Sequence, residues 1–130
     1  MTPIDLDNDD ARLTDAIATA RDCGLFVLLE AFGPEQAARA AGFVAGDVLL
    51  GINCRDLRDL SIDPGRFRAC ADLAREHGAI AESGMHGPDD VRTVAALGYR
   101  GALVGSALMA SDDPAALAAG LTAAGRETDR

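Results

Sequence analysis

Val48-Leu49-Leu50-Gly51-Ile52 is the stretch that decides the fold of this 130-residue chain. It is short and continuously apolar, which is typical of a parallel β-strand that is covered on both faces. Three other runs have the same character, and the second of them is the weakest by composition: Leu25-Phe26-Val27-Leu28-Leu29, Ala79-Ile80-Ala81 and Ala102-Leu103-Val104. We therefore predict four parallel strands.

Segments with helical spacing separate these apolar runs. Small or apolar residues recur at this spacing in four of them: Leu13, Ile17 and Ala20; Ala37, Ala40 and Ala41; Phe67, Cys70, Ala71 and Ala74; and Val91, Val94 and Ala95. Asp63-Pro64 and Asp113-Pro114 each place a helix-capping residue before a first-turn proline. Glycines follow the helical segments at Gly24, Gly42, Gly78 and Gly98. The predicted order of elements is αβαβαβαβα.

The residues that end the predicted strands are regularly spaced. Glu30, Asn53, Glu82 and Gly105 stand 23, 29 and 23 residues apart, so each interval holds one strand and one helix. Four such units make an α/β fold that is half of a (β/α)₈ TIM barrel. A four-stranded open sheet of flavodoxin type is the structural alternative.

The length of the chain and its 48% apolar content indicate a single globular domain. We place a half-barrel domain at 11–125, after an N-terminal loop at 1–10 that would leave a preceding strand, and before a tail at 126–130. No apolar run approaches the roughly 20 residues that span a bilayer, and the acidic start lacks the basic region of a signal peptide. We therefore expect a cytoplasmic protein.

The charge of the chain limits its partners. With a net charge of −9, most of the surface repels phosphate backbones and anionic lipids, so we expect no nucleic-acid partner and no membrane partner. Cys23, Cys54 and Cys70 are widely spaced and the histidines are not clustered, which indicates neither a disulfide framework nor a metal site. All 12 basic residues are arginines. A mechanism that requires a lysine must take it from another chain.

Functional groups of parallel α/β folds gather at the carboxyl ends of the strands. At the apolar lip of a barrel, Glu30 would have a raised pKa that suits a general base, and the alternative is a solvated loop glutamate. Asn53 offers an amide that can bind a hydroxyl, and Arg55 offers a guanidinium that can clamp a carboxylate or a phosphate. The alternative there is an Asn-started turn with Arg55 paired to Asp56 or Asp59.

Two glycine-containing strand ends are candidate anion sites. Ser83 and the backbone N–H of Gly84 follow the third strand, and Gly105-Ser106 opens a short helix after the fourth, with free N–H groups at the barrel mouth. By itself a Ser-Gly turn is common. Loops after strands seven and eight frequently form the phosphate site of a (β/α)₈ barrel. The two candidate anion sites match these loops if the four predicted strands are strands five to eight of a barrel. We expect a phosphorylated small molecule, inorganic phosphate or sulfate as the ligand.

Other polar residues have simpler interpretations. His86 lies beside the candidate phosphate loop and is expected to be a loop residue, while His77 sits at a helix end, where positive charge is favoured. Cys54 could be a reactive thiol, although no base lies near it in the sequence. A solvated helix entrance, rather than a metal site, is expected for the acidic residues near the start: Asp5, Asp7, Asp9 and Asp10.

Four segments, taken in order, resemble indole-3-glycerol phosphate synthase, and the second and third in succession are fairly specific. They are Val27-Leu28-Leu29-Glu30, Gly51-Ile52-Asn53-Cys54-Arg55-Asp56-Leu57, Glu82-Ser83-Gly84-Met85 and Leu103-Val104-Gly105-Ser106-Ala107-Leu108-Met109. The resemblance covers about 11–124 and corresponds to helix four through helix eight of the family's barrel. It implies a carboxy-lyase of tryptophan biosynthesis, without cofactor or metal. That reaction closes the indole ring of a carboxyphenylamino-deoxyribulose phosphate, with loss of carbon dioxide and water.

The resemblance also implies roles for the residues at the strand ends. Glu30 matches the glutamate regarded as the general base, and Glu82 matches a second active-site glutamate. Asn53 and Arg55 match a substrate-contacting pair, so we take Glu30, Asn53 and Glu82 as candidate catalytic residues. Arg55 and Ser83 are candidate substrate-binding residues. The phosphate-binding loops are matched by Ser83, Gly84, Gly105 and Ser106.

The sequence departs from the family pattern in three ways. Cys54 replaces an asparagine, Ala31-Phe32 replaces residues that are commonly valine and histidine, and the family's first four strands, with their lysines, are absent. Ring closure requires a carbonyl oxygen to be protonated and lost as water, so the loss of a positioned general acid commonly costs roughly 10²–10⁴-fold in rate. We therefore expect phosphate binding to be easier to retain than turnover.

An isolated four-stranded half-barrel would expose its inner face and two strand edges. We expect it to pair with a second copy as a homodimer, or with a complementing N-terminal half-barrel. Four hypotheses stay open at this point. The chain is a natural half-barrel that binds phosphate esters, one part of a split synthase, a truncated piece of a full enzyme, or an interaction module of flavodoxin-like shape in which the motifs are incidental.

Overall fold

The computed structural model describes residues 10–127 and arranges them as strands that alternate with helices. The strands are β1 (Val27–Ala31), β2 (Val48–Asn53), β3 (Ile80–Glu82) and β4 (Gly101–Leu103). The helices are α1 (Asp10–Asp22), α2 (Pro34–Ala41), α3 (Gly65–Ala69), α4 (Ala71–His77), α5 (Pro88–Ala96), α6 (Ser106–Ala110) and α7 (Pro114–Arg126). Of the predicted N-terminal loop and tail, 1–9 and 128–130 lie outside the described residues.

The four described strands form one parallel sheet in the order β1-β2-β3-β4. This sequential order confirms the predicted half of a (β/α)₈ barrel, because a flavodoxin-type sheet places its first strand between the second and the third. The register sets Glu30 opposite Gly51 and Asn53 opposite Glu82. Side chains at the ends of different strands are thereby brought to one edge of the sheet.

The core lies between the sheet and the helices that cover one of its faces. Val48, Leu50 and Ile52 alternate along β2 and are completely buried. Phe67 of α3 meets Tyr99 edge to face, with ring centroids 5.4 Å apart, and the Tyr99 hydroxyl donates to the Phe67 carbonyl oxygen at 3.0 Å. Burial raises the pKa of Tyr99, so the phenol keeps its proton and this hydrogen bond inside the core.

The opposite face of the sheet, which corresponds to the inside of a barrel, is open in the described part of the chain. Strand alternation sets Leu28 and Glu30 of β1 on this face, together with Phe26 directly before the strand. Phe26 is 71% exposed, and Leu103 on β4 is 51% exposed. The sequence predicted strands covered on both faces, whereas helices cover only one face within residues 10–127.

Element boundaries differ from the predicted ones most clearly at the first strand and in the segment 67–74. The first strand begins at Val27, whose N–H donates to the Asp47 carbonyl oxygen at 2.8 Å, so the apolar residue Leu25 precedes the strand and is exposed. The segment 67–74, predicted as one helix, is divided at Cys70, whose φ of −101° and ψ of 9° separate α3 from α4. The alternation of strands and helices is unaffected by either difference.

Helix ends follow the predicted punctuation in most cases. Asp113 caps α7 as predicted, because its carboxylate accepts the Ala116 N–H at 3.0 Å. Helix α3 begins one residue later than predicted, at Gly65, whose N–H donates to Asp63 at 3.0 Å. Gly42 ends α2 with a φ of −63°, so its backbone does not require glycine. The left-handed conformation occurs at the other three predicted helix-end glycines: Gly24, Gly78 and Gly98.

The three cysteines are free, and two of them, Cys54 and Cys70, are buried. Burial raises the pKa of both thiols, which argues against the reactive role considered for Cys54. Within residues 10–127, no group of three or more His, Cys, Asp or Glu side chains could hold a metal ion. In the same range, no helix is both long enough and apolar enough to cross a membrane.

Candidate active site

A cleft of about 560 Å³ lies at the carboxyl ends of the strands. Every residue predicted for the candidate site lines it: Glu30, Asn53, Arg55, Glu82, Ser83, Gly84, Gly105 and Ser106. A second hollow of about 590 Å³ lies at the opposite end of the sheet, beside Arg75, Gly78 and Arg100, and holds none of these residues. The fold therefore collects the predicted residues in one place.

Asn53, at the end of β2, connects the first two strands of the site. It is 5% exposed, and its Nδ2 donates to Glu30 Oε1 at 3.1 Å. Its Oδ1 accepts the backbone N–H of Arg55 at 2.9 Å, so the Asn-started turn that was the alternative interpretation is present together with the contact to Glu30. Because both ends of the amide are engaged, the donor that faces Glu30 is fixed in direction.

The loop after β2 folds back on itself and holds Arg55 beside the cleft. Arg55 and Ile62 form an isolated antiparallel bridge. Asp56 pairs with Arg58 at 2.7 Å and with Arg66 at 3.7 Å, and the hydrogen bonds from Arg58 hold the pKa of Asp56 well below its usual range. The surface pair considered between Arg55 and Asp56 is therefore not formed, and Arg55 lines the cleft instead.

Glu82, at the end of β3, is a buried carboxyl group at only 6% exposure. Burial is the main reason that its pKa rises from 4.5 to about 8, and the charge of Glu30 and a hydrogen-bonding contact with Glu30 raise it further. The Oε2 atom of Glu82 is buried and has no hydrogen-bond partner in the described part of the chain. A carboxylate buried without donors is costly, so this environment favours the protonated acid.

Gly51, in the middle of β2, makes room for the Glu82 side chain. A Cβ at this position would overlap Glu82 Oε2 and would lie 3.2 Å from Leu28 Cδ1. Gly51 was singled out in the sequence only as part of an apolar run and of a segment that resembles the family, so this role was missed. A glycine inside a strand often marks a close approach, and that signal was available in the sequence.

Ser83 and Gly84 form a tight turn directly after β3. Both have left-handed backbones, with φ of +67° and +71°, and this conformation is unusual for serine. A Cβ at position 84 would lie 3.0 Å from Cys54 Sγ and 3.6 Å from Ile62 Cγ2. Glycine is thus required at position 84 both by its φ and by its packing against the loop that carries Arg55.

Gly105 precedes α6 and forms its N-cap, and Ser106 is the first residue of that helix. No side chain caps this end, and the N–H groups of a first helical turn have no partner within the helix. A Cβ at position 105 would meet nothing within 4 Å, so the approach to these N–H groups is open. The turn at Ser83 and this helix start line the same cleft, as the sequence analysis expected.

The remaining polar residues singled out in the sequence have separate positions. His86 is an exposed loop residue, as predicted, and it also lines the cleft. His77 ends α4, as predicted. Asp10 begins α1 and pairs with Arg39 at 2.6 Å, which agrees with a solvated helix entrance. Three members of the acidic run lie outside the described residues: Asp5, Asp7 and Asp9.

Comparison with known proteins adds an independent observation. A family model described as indole-3-glycerol phosphate synthase matches residues 6–121 of the chain. Among curated relatives of that name, the protein of Streptomyces griseus subsp. griseus is 39% identical over 118 residues, which cover 90% of this chain and 43% of the relative. The protein of Halobacterium salinarum is 43% identical over 98 residues, or 75% of this chain and 38% of the relative.

A third relative of the same name, from Micrococcus luteus, is 37% identical over 107 residues, which cover 82% of this chain and 39% of the relative. The chain therefore spans about two fifths of the length of the curated relatives it matches. The matched segment includes the whole cleft, from Glu30 to Ala107.

Proposed function

The chain belongs to the indole-3-glycerol phosphate synthase family, and from that premise we propose that it carries the base and the phosphate-binding loops of that family's site. The reaction is the ring closure and decarboxylation of a carboxyphenylamino-deoxyribulose phosphate, in tryptophan biosynthesis. One observation carries the proposal. Glu30, Asn53 and Glu82 share one cleft with the two glycine-containing strand ends that are the candidate anion sites.

Glu30 acts as the general base in this proposal. Its carboxylate receives the Asn53 amide N–H at 3.1 Å, and a hydrogen bond to the ionised form keeps a carboxylate both charged and oriented. Arg55 supplies a guanidinium at the rim of the same cleft, suited to the carboxylate of the substrate. A base and a cation that line one cleft favour a substrate that carries both an acidic C–H or O–H group and an anion.

The phosphate of the substrate binds between the two glycine-containing strand ends. Ser83 and Gly84 contribute a hydroxyl and backbone N–H groups, and Gly105 with Ser106 contributes the start of α6, where helix polarity favours an anion. On a chain with a net charge of −9, phosphate binding depends on such local N–H donors rather than on the overall field.

Turnover also needs a group that protonates the departing oxygen. The family resemblance assigns that work to lysine, and this sequence has none among its 12 basic residues. We infer that catalysis requires a second set of strands and helices that carries lysine and covers the open inner face at Phe26 and Leu103. A homodimer would cover the same face, but two copies together would still contain no lysine.

The proposed site is tested by measuring the binding of inorganic phosphate to the purified chain with titration calorimetry. Gly105→Asp is expected to weaken binding about tenfold or more, because a carboxylate a few ångströms from the phosphate repels it by more than about 1.4 kcal/mol. Gly46→Asp is the matched control, since Gly46 is also an exposed glycine whose Cβ would meet nothing within 4 Å. Equal affinity of Gly105→Asp and the unchanged chain would reject the assignment.

A further inference from the structure

Two carboxyl groups of the cleft meet across an intervening strand. Glu30 stands on β1 and Glu82 on β3, with β2 between them, yet their side chains approach each other over Gly51. Glu30 is paired with Gly51, and Glu82 Oε2 lies where a Gly51 Cβ would be. Neighbouring strands lie about 4.8 Å apart, so the backbones of β1 and β3 are separated by about twice that distance. The contact therefore needs a long side chain and a free path over β2.

Gly51 provides that path. It is paired with Glu30 on one side and with Ile80 on the other, so it lies between the two acidic side chains on the same face of the sheet. Any larger residue at position 51 would place its Cβ against Glu82 Oε2 and 3.0 Å from Glu82 Cδ. The absence of a side chain at this single position lets the two carboxyl groups meet.

The contact determines where a proton must be. An ionised carboxylate only accepts hydrogen bonds, so two of them cannot bond to each other, and one member of the pair must hold a proton. Glu30 has a donor, the Asn53 amide, that favours its ionised form. Glu82 is more deeply buried, and its Oε2 has no donor in the described part of the chain. The proton therefore belongs on Glu82.

We propose that Glu82 is a protonated acid at neutral pH and donates a hydrogen bond to the ionised Glu30, so that it positions the base of the site. The role of Glu30 as base rests on the proposed function, whereas the shared proton rests on geometry alone. When Glu30 accepts a proton from a substrate, the C–H or O–H bond of the substrate breaks and leaves its electron pair there, an O–H bond forms on Glu30, and the pair becomes neutral. At neutral pH the pair thus alternates between one proton and two, and does not hold two negative charges.

The surroundings of Glu82 agree with this assignment. Burial comes first among the causes that raise its pKa to about 8, followed by the charge of Glu30. The other titratable side chains that line the cleft are Arg55 after β2 and His86 after β3, and neither contributes to the shift. The segment 103–107 after β4 presents no titratable group. Above a pH of about 8 Glu82 loses the one proton of the resting pair, and repulsion between the two carboxylates ends the positioning of Glu30.

Carbon-13 NMR of the chain with labelled glutamate side chains tests the proposal directly. One carboxyl resonance should titrate with a midpoint near pH 8, and it should be missing from the spectrum of Glu82→Gln. Gly51→Ala should displace the flexible end of Glu82 and lower that midpoint. Gly101→Ala is the matched control, because its new Cβ would lie only 3.1 Å from Ile80 Cδ1, on the neighbouring β3, and should leave the midpoint unchanged.

Unfolding at different pH values gives a second measurement that needs neither ligand nor turnover. The folded chain holds a proton that the unfolded chain releases near pH 4.5, so stability should fall as the pH rises from about 4.5 to about 8. Glu82→Gln should remove this component of the pH dependence. Titration of Glu82 in the ordinary glutamate range, or a midpoint that Gly51→Ala does not move, would overturn the proposal. Failure of phosphate binding would instead count against the proposed function and leave this result intact.

Discussion

Asn53 shows how one side chain can order a site at the scale of single residues. Its amide nitrogen faces the carboxylate of Glu30, and its amide oxygen holds the backbone N–H of Arg55. An aspartate at this position would keep the second contact and lose the first, since a carboxylate has no N–H to donate. An amide of this length can both donate to the Glu30 carboxylate and accept the backbone N–H of Arg55.

Leu60 offers a test of backbone strain in the loop that follows β2. Its φ is +62°, a conformation that costs a residue with a Cβ roughly 1–2 kcal/mol, and its side chain is 62% exposed. Leu60→Gly should therefore raise the free energy of unfolding in urea by about 1 kcal/mol. Leu60→Ala keeps the Cβ and removes most of the exposed apolar surface, so it serves as the control and should change little. A gain of equal size in both variants would assign the effect to surface apolarity instead.

The sequence was informative about which residues belong to the site and less so about their protonation. Glu30, Asn53 and Arg55 could be predicted because parallel strands all end at the same edge of the sheet. The proton on Glu82 could not be predicted, because it depends on the approach of the Glu82 side chain to Glu30 over Gly51. That approach is set by the register of the strands and not by the residue types alone. The role of Glu30 as a general base stays a prediction.

Helix α7 gives a prediction at the scale of elements. Its first turn is capped by Asp113, whose carboxylate accepts the Ala116 N–H at 3.0 Å. Asp113→Ala should lower the free energy of unfolding by about 1 kcal/mol, the usual effect of losing such a cap. Asp112→Ala removes the same charge one residue earlier, outside the cap, and should have a much smaller effect in the same denaturant titration. If both substitutions cost the same, net charge rather than capping explains the loss.

The elements themselves were largely predictable, with errors where tertiary contacts set the boundaries. Apolar runs predicted the four strands in the right order, but Leu25 and Phe26 have the composition of a strand and still lie before β1, because pairing with β2 starts at Val27. The break between α3 and α4 at Cys70 could not be predicted from the sequence, because the segment 67–74 contains neither glycine nor proline.

At the scale of the whole molecule, the absence of lysine leads to a prediction about turnover. The purified chain alone should form no indole-glycerol phosphate above background, because none of its 12 basic residues is the lysine that the family resemblance assigns as general acid. The assay should be repeated after addition of the part of a relative, such as that from Streptomyces griseus, that this chain does not match. Activity of the chain alone that Glu30→Gln abolishes would contradict the prediction.

The open inner face determines what can associate with this chain. Phe26 and Leu103 are apolar and exposed, while Glu30 and Glu82 bring acidic groups to the same face. A second copy would present the same acidic pair to the first, and the two chains would each carry a net charge of −9. A partner that offers cations opposite the carboxyl pair is electrostatically the better match.

Position 51 has a consequence for protein engineering. The proton affinity of the cleft is governed there by an empty volume, since the carboxyl pair forms only where the strand carries no side chain. Side chains of increasing size at position 51 would therefore separate Glu30 and Glu82 by increasing amounts. They would retune the acidity of the cleft without adding or removing a single charge.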